Sequence, residues 1–150
     1  MKIKIPPPII VFIFAGILFL LNKYLPVGSF NFFGRTGLMY VVVGIGFLLM
    51  VISLLQFYRQ KTTTNPINPE QASKLVTTGI FKYTRNPMYL AMLLFLIAFA
   101  LQLGNAFNSL VLTSFVYYMN NFQIKYEEEA LLKKFGKEYK LYRKATRRWF

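Results

Sequence analysis

Residues 75–89, LVTTGIFKYTRNPMY, place polar side chains directly before a long apolar run. The side chains in this stretch that hydrogen-bond or carry charge are Thr77, Thr78, Lys82, Tyr83, Arg85, Asn86 and Tyr89. A guanidinium at the edge of a membrane is costly unless it is paired, so Arg85 is a candidate for binding an anion. Taken alone, Arg85 would be interpreted as a positively charged anchor that snorkels to the membrane surface, and its polar neighbours Asn86 and Tyr89 favour the binding site. Gly79 would allow close backbone approach.

A second polar cluster lies near the C-terminus, where residues 127–138 hold four of the five carboxylates of the chain. Glu127 and Glu128 come about one helical turn after the end of the uncharged run 106–122, where an acid can meet Arg85. The alternative is a solvated helix face on which Glu129 pairs with Lys133 four residues later.

Two tyrosines, Tyr139 and Tyr142, are three residues apart and therefore share a helical face, as core residues or as the wall of an aromatic slot. Arg148 and Trp149 follow near the chain end. We predict that residues 124–149 fold back over residues 75–89 and that the two segments complete one site.

Composition removes several kinds of chemistry. The chain has no Cys, His or Asp. Thiol catalysis, cysteine metal sites and the commonest general base near neutral pH are therefore excluded, and no metal site is expected. Any chemistry must use Arg, Lys, Tyr, Asn and a few Glu.

The elements that position these residues are predicted to be membrane helices in one domain over residues 1–150. The chain is 55% hydrophobic, which is high for a soluble domain of this length. Apolar runs close to membrane-spanning length predict an all-α membrane protein with four transmembrane helices and a C-terminal helical tail that caps the site. The predicted spans are approximately 6–25, 38–58, 87–103 and 106–122. The short turn at Gly104–Asn105 predicts that the last two form an antiparallel hairpin, and Gly136 is the next predicted helix stop.

Charge distribution predicts the orientation. Sixteen of the eighteen Lys and Arg residues fall in the N-terminus, in residues 59–86 and after residue 122. The positive-inside rule then places both termini and the site on the cytoplasmic face of a multi-pass membrane protein. The net charge of +13 is interpreted as attraction to anionic headgroups, with membrane lipids and not nucleic acid as partners.

The stretch LVTTGIFKYTRNPMYL, a pair of spans, and EE-x₂-L-x₃-FG-x₂-Y-x₂-Y followed by Arg-Trp resemble the isoprenylcysteine carboxyl methyltransferase family. The resemblance covers approximately residues 65–149. The family motif Gly-x-Tyr-x-Tyr-x-Arg-His-Pro-x-Tyr falls on Gly79, Phe81, Tyr83, Arg85, Asn86, Pro87 and Tyr89. The later motifs fall on Glu127, Glu128, Tyr139, Tyr142, Arg148 and Trp149. Phe81, Asn86 and Arg147 depart from the usual Tyr, His and Pro, and Asn86 has no titratable ring, so its role would be to hold a cofactor.

The resemblance implies a small membrane methyltransferase that binds S-adenosylmethionine at the cytoplasmic face and takes a lipophilic or lipidated acceptor from the bilayer. Arg85 or Arg148 would pair with the cofactor carboxylate, and Glu127 or Glu128 would face its cationic end. Tyr or Trp rings would cover the adenine. The residues assigned to catalysis are Arg85, Glu128 and Arg148. Those assigned to cofactor binding are Thr78, Gly79, Tyr83, Arg85, Asn86, Pro87, Tyr89, Glu127, Glu128, Tyr139, Tyr142 and Arg148.

Methyl transfer to an ionised acceptor requires alignment and exclusion of water and no base, so the missing His and Asp do not oppose it. The acceptor group is a carboxylate, a thiol or a lipid headgroup, with an isoprenylcysteine-like carboxyl as one candidate. Two other hypotheses remain: a nicotinamide-dependent membrane reductase of sterol-reductase type, and a non-catalytic protein whose basic tail binds anionic lipid.

Overall fold

The computed structural model of the protein describes residues 5–60 and 73–150. Within these ranges the chain is helical and contains no β-strand, only an isolated bridge between two residues. The helices are α1 (Pro7–Tyr24), α2 (Arg35–Gln60), a 3₁₀ turn (Gly79–Lys82), α3 (Pro87–Leu103), α4 (Asn108–Tyr118), a π-helical turn (Met119–Ile124) and α5 (Lys125–Ala145). The all-helical fold predicted from the sequence is confirmed for the described residues.

Helix α3 forms the centre of the bundle, in contact with α1, α2 and α4. Pro87 occupies its first turn, where a missing N–H costs nothing because that group has no partner within a helix. Eight of its seventeen residues are buried, among them Tyr89 and Leu96. Helix α3 is therefore fixed by packing against three other helices, and it places the polar residues directly before it at one end of the bundle.

Helices α1 and α2 present large apolar side chains on their outer surfaces. Phe12 on α1 is 77% exposed and Phe47 on α2 is 61% exposed. By length and composition these two helices can cross a membrane, whereas the apolar helix α3 is shorter. Their outer faces suit lipid, since exposed apolar surface of this extent is unfavourable in water.

Helix α2 crosses α3 closely at Gly46. A Cβ at this position would lie 3.0 Å from Phe95 Cε1 and 3.3 Å from the carbonyl oxygen of Ala91. A Cβ at Gly44, two residues earlier, would have no neighbour within 4 Å. Of these two glycines, Gly46 is therefore the one that α3 approaches.

At one end of the bundle, the loop between α1 and α2 is bound to the turn between α3 and α4. The Phe30 N–H donates to the Gly104 carbonyl at 2.9 Å, and the Ala106 N–H donates to the Val27 carbonyl at 3.3 Å. Gly104 has a φ of 69°, a left-handed conformation that glycine adopts without steric cost. Consecutive helices therefore run in opposite directions, and the predicted hairpin of the last two helices is confirmed.

Three element boundaries differ from the predictions. Helix α2 begins at Arg35, which the sequence placed in a loop; its Nη1 donates to the Phe30 carbonyl, and this bond holds it at the helix start. The predicted fourth span, 106–122, is only partly regular α-helix, because it passes at Met119 into a π-helical turn. An apolar run predicts an apolar environment but not the helical pitch, so the π-helical turn was not predicted.

The third difference is at Gly136, the predicted helix stop, which interrupts α5 without ending it. Its φ of 50° and ψ of −114° are strongly disfavoured for residues with a side chain, and the helix resumes beyond it to Ala145. We call residues 137–150, which follow this break, the strap. Residues 73–86, which lead into α3, are called the connecting segment.

Candidate functional site

The strap lies along the end of the connecting segment. Thr84 and Arg147 form a parallel bridge, and the Arg85 N–H donates to the Arg147 carbonyl at 2.9 Å. The Arg148 carbonyl accepts from Thr84 Oγ1 at 3.3 Å and from Asn86 Nδ2 at 2.9 Å. Residues more than sixty positions apart thus form one polar layer directly before α3, as the sequence predicted.

Arg85 joins this layer to α5. Its Nη1 donates to the backbone carbonyls of Arg143, at 3.0 Å, and Thr146. Its Nη2 forms an ion pair with Glu128 Oε1 at 3.1 Å, and both side chains are only 10% exposed. Arg85 is therefore a paired and largely buried cation, and the alternative of a solvated anchor is wrong.

Arg148 approaches the same carboxylate from the strap. Its Nη2 lies 2.6 Å from Glu128 Oε2 and its Nε lies 3.2 Å from Oε1. We call Arg85, Glu128 and Arg148 the triad. Because the triad has two guanidinium groups and one carboxylate, its net charge is +1.

Two opposing effects set the pKa of Glu128. Burial raises it, but hydrogen bonds and charge from Arg148 and Arg85 outweigh burial and hold the pKa of this carboxyl below its usual value. Glu128 is therefore ionised near neutral pH, and it holds together two cations that would otherwise repel each other.

The neighbouring Glu127 has a different environment. Its Oε1 accepts from the Tyr89 hydroxyl and from Gln123 Nε2, both uncharged donors. Burial raises the pKa of Glu127 to about 7 although both hydrogen bonds lower it. Glu128 thus binds both arginines, whereas the preceding Glu127 has no cationic partner among the described residues.

The paired tyrosines sit behind the triad. Tyr139 is 1% exposed and meets the Tyr142 ring edge-on at 6.2 Å between ring centroids. The Tyr142 hydroxyl donates to the Phe81 carbonyl at 2.8 Å, a further link between strap and connecting segment. Burial raises the pKa of Tyr139 to about 12, so it remains a neutral phenol. The sequence left open whether this pair packs in the core or walls an aromatic slot, and the burial of Tyr139 fits core packing for that residue.

Other predicted residues lie outside the triad. Thr78 and Tyr83 are exposed, Tyr83 to 74%, and they flank the 3₁₀ turn. Gly79, with a φ of 60°, packs against the side chain of Gln56, where a Cβ would collide with that amide. Pro87 is buried at the start of α3. The structure brings Arg85, Asn86, Tyr89, Glu127, Glu128, Tyr139, Tyr142 and Arg148 together around the strap.

Two amides were missed by the sequence reasoning. Asn120 Oδ1 accepts from Trp149 Nε1 at 3.0 Å and from Arg148 Nη1 at 3.4 Å, and Gln123 donates to Glu127. Both lie in the π-helical turn, a feature often found at functional sites. The amides at 120, 121 and 123, at the end of an otherwise apolar run, were the available indication.

The chain matches the model of the phospholipid methyltransferase family over residues 35–138, and it belongs to that family. This range includes α2, the connecting segment, α3 and the two glutamates, but it ends before most of the strap. Family membership and the apolar helices identify a membrane protein of a methyltransferase family.

Among curated relatives, a Haemophilus influenzae protein named only as uncharacterized is 47% identical over 62 residues, which is 41% of this chain and 98% of that protein. Proteins from Oryza sativa subspecies indica and japonica are each named as a probable protein-S-isoprenylcysteine O-methyltransferase. Each is 28% identical over 102 residues, 68% of this chain. The chain spans 53% of the length of each rice protein. No solved structure matches.

Proposed function

We propose that the protein is an integral membrane methyltransferase that uses S-adenosylmethionine to methylate a lipophilic acceptor. The observation that carries the proposal is the triad, in which arginines from two distant segments meet one glutamate immediately before an apolar helix. The family match favours methyl transfer over the hydride transfer of a reductase. A non-catalytic lipid-binding role would leave this buried arrangement without a use.

The donor set suits the groups of that cofactor. The triad has one positive charge in excess, and Arg85 Nε is a buried donor without a partner among the described residues. A carboxylate such as the one in the methionine moiety would satisfy both. Glu127, which lacks a cationic partner in the described chain, matches the ammonium or sulfonium of the same molecule.

The bound cofactor would supply an electrophilic methyl group on sulfur. In this proposal Arg85 and Arg148 bind its carboxylate, Glu128 keeps the two guanidinium groups converged, and Asn86 and Thr84 hold the strap in place. Tyr142 and Trp149 supply aromatic surface for adenine. The strap over the connecting segment would exclude water from the reacting groups, which favours transfer to an anionic acceptor.

The acceptor we propose is an amphiphile that reaches the site from the bilayer, with an isoprenylcysteine-like carboxyl as the first candidate and a phospholipid headgroup as the second. The names of the relatives support both. Radiolabelled methyl transfer to N-acetyl-farnesylcysteine and to phosphatidylethanolamine, measured side by side in nanodiscs, separates them. Labelling of neither acceptor would remove both candidates.

Calorimetric titration of the purified protein with S-adenosylhomocysteine tests the cofactor site. We expect Arg148→Gln to weaken binding at least about tenfold, because a charged hydrogen bond contributes about 1.5–3 kcal/mol. Arg147→Gln is the matched control, since the Arg147 side chain is exposed and only its backbone takes part in the site.

A second matched pair of variants tests whether Glu127 binds the cationic end of the cofactor. Glu127→Gln keeps an acceptor for Tyr89 and Gln123 but removes the charge, and it should weaken binding of the same ligand. Glu129→Gln changes an exposed glutamate two positions away and should leave the affinity unchanged. Equal affinities in all four variants would refute the site, and a larger thermal shift with NADPH than with S-adenosylhomocysteine would favour a reductase.

We also propose that the site and both termini face the cytoplasm in a multi-pass topology, supported by the basic residues concentrated at the site end. Because the chain has no cysteine, single substitutions give a clean accessibility test. Lys133→Cys in inverted vesicles should react with a membrane-impermeant maleimide, whereas Ser29→Cys, in the loop at the other end, should not. The reverse labelling pattern would overturn the orientation.

A further inference from the structure

The strap is held at the level where the apolar helices end. It binds the connecting segment at Phe81, Thr84 and Arg85, and α3 begins at Pro87. If α3 lies in a bilayer, this polar layer lies at the depth of the headgroups. The part of the strap that makes these contacts, residues 142–148, then lies near the membrane surface.

The outer face of the strap has a regular composition. Lys137, Lys140, Leu141 and Lys144 follow the spacing i, i+3, i+4, i+7, which places them on one side of a helix. All four are exposed, Leu141 to 59%. We call these four residues the basic stripe. The opposite side of the same helix carries Tyr139 and Tyr142, which face the protein, so the stripe points away from the bundle.

Lysines around an exposed leucine suit one kind of partner. Long lysine stems lie along an interface with the ammonium in the headgroup layer, and an apolar side chain between them enters the acyl boundary. We infer that the basic stripe docks on anionic phospholipid headgroups of the bilayer that holds α1 to α3. The inference is independent of the proposed methyl transfer, since it concerns only the outer surface of the strap.

The position of the basic stripe favours lipid over an acidic protein as its partner. Both would complement the lysines, but the strap is tied to residues directly before a membrane helix, and Lys82 and Leu141 line the same shallow groove between connecting segment and strap. Phe150, at the end of the strap, is 78% exposed and adds apolar surface. Apolar and basic groups at the membrane boundary match headgroups and acyl chains at once.

Hydrogen exchange of the full-length protein in nanodiscs tests the inference. The probe is phosphatidylglycerol: strap amides are compared in discs that contain it and in discs of phosphatidylcholine alone. A lysine near an anionic surface contributes about a fivefold change in binding, so we expect strap exchange to slow at least about fivefold with phosphatidylglycerol. Added salt should reverse the effect, because it screens charge.

The decisive variant is Lys137→Gln/Lys140→Gln/Lys144→Gln, in which the dependence on phosphatidylglycerol should disappear. Lys23→Gln/Lys125→Gln/Lys133→Gln is the matched control, because it removes the same charge from outside the strap and should keep the dependence. Leu141→Gln should reduce the protection partially. The emission spectrum of Trp149, the single tryptophan, checks that every variant keeps the strap folded.

The other outcomes overturn the inference. Strap exchange that is the same in both kinds of disc shows that the stripe binds no anionic lipid. An equal loss in both triple variants shows that total charge, and not the stripe, is responsible. Protection by soluble polyglutamate that matches the effect of phosphatidylglycerol would assign the stripe to an acidic polypeptide instead.

Discussion

The two ends of the bundle both place an arginine at the start of an apolar helix, yet they use it differently. At the loop end, Arg35 donates to the Phe30 carbonyl, and the buried Asn105 donates to the Leu25 carbonyl at 2.8 Å. At the site end, Arg85 meets Glu128, which also binds Arg148. The loop end satisfies these polar side chains with backbone carbonyls alone, whereas the site end adds ionised groups that come together from three segments.

The difference shows what distinguishes a candidate site from a helix terminus. A backbone carbonyl satisfies a cation locally, and the result is a structural lock. A carboxylate shared by two arginines leaves one positive charge in excess, and the proposed binding of an anion rests on that excess. The chemistry of the site end therefore follows from how its arginines are paired and not from their presence near a helix start.

The largest expected effect comes from removing Arg85. Arg85→Gln breaks a buried ion pair and leaves two backbone carbonyls short of a donor, so we expect the free energy of unfolding to fall by about 3–5 kcal/mol. Arg35→Gln at the loop end removes one hydrogen bond to a carbonyl and should cost about 1 kcal/mol. Denaturant unfolding in detergent compares them, and equal losses would contradict the distinction between the two ends.

The next prediction concerns the stability of the fold, which should depend on pH in opposite ways at the two adjacent glutamates. Since the pKa of Glu127 rises from 4.5 to about 7, the folded protein keeps a proton that the unfolded chain loses. Stability should therefore fall as pH rises through that window, by up to about 3 kcal/mol, and level off above it. Glu128 has the opposite sign, because its lowered pKa stabilises the fold above its ordinary value and that contribution is lost on acidification.

Thermal unfolding across this pH range checks both signs. Glu127→Gln should flatten the fall toward neutral pH, and Glu129→Gln should leave the profile as in the wild type. A wild-type stability that rises between about pH 5 and pH 7 would contradict the assignment to Glu127.

A smaller effect is expected at Asn120. Asn120→Leu leaves Trp149 Nε1 and Arg148 Nη1 without this acceptor, which should cost about 1–3 kcal/mol. Because Trp149 is the only tryptophan, its fluorescence should shift as the strap loosens. Asn108→Leu at the loop end, where the amide donates to the Ala100 carbonyl, should lower stability without a shift in emission.

The smallest effect is expected at Thr84. Thr84→Val removes the hydroxyl that donates to the Arg148 carbonyl and accepts from the Asn86 N–H, at a cost of about 1 kcal/mol. Thr113→Val, in an exposed position on α4, removes only a bond to the preceding turn and should be neutral. Hydrogen exchange of the strap amides measures both, and faster strap exchange in Thr113→Val would remove the contrast.

The sequence predicted the third helix at its observed bounds, 87–103, and the meeting of residues 75–89 with the tail. Long apolar runs and a proline at a helix start are local features, so they can be read without the fold. The π-helical turn was not predicted, because its pitch depends on where Asn120 and Gln123 find partners. Those partners, Trp149 and Glu127, are decided by packing.

By itself the sequence predicted that two polar segments, one before an apolar helix and one after the last, would lie together, and its lack of Cys, His and Asp limits the chemistry available there. It did not determine which of the two adjacent glutamates would form ion pairs with the arginines. Neighbouring residues on a helix point about 100° apart, so Glu127 and Glu128 cannot face the same partners. Only the tertiary structure placed Glu128 beside Arg85 and Arg148 and left Glu127 beside Tyr89.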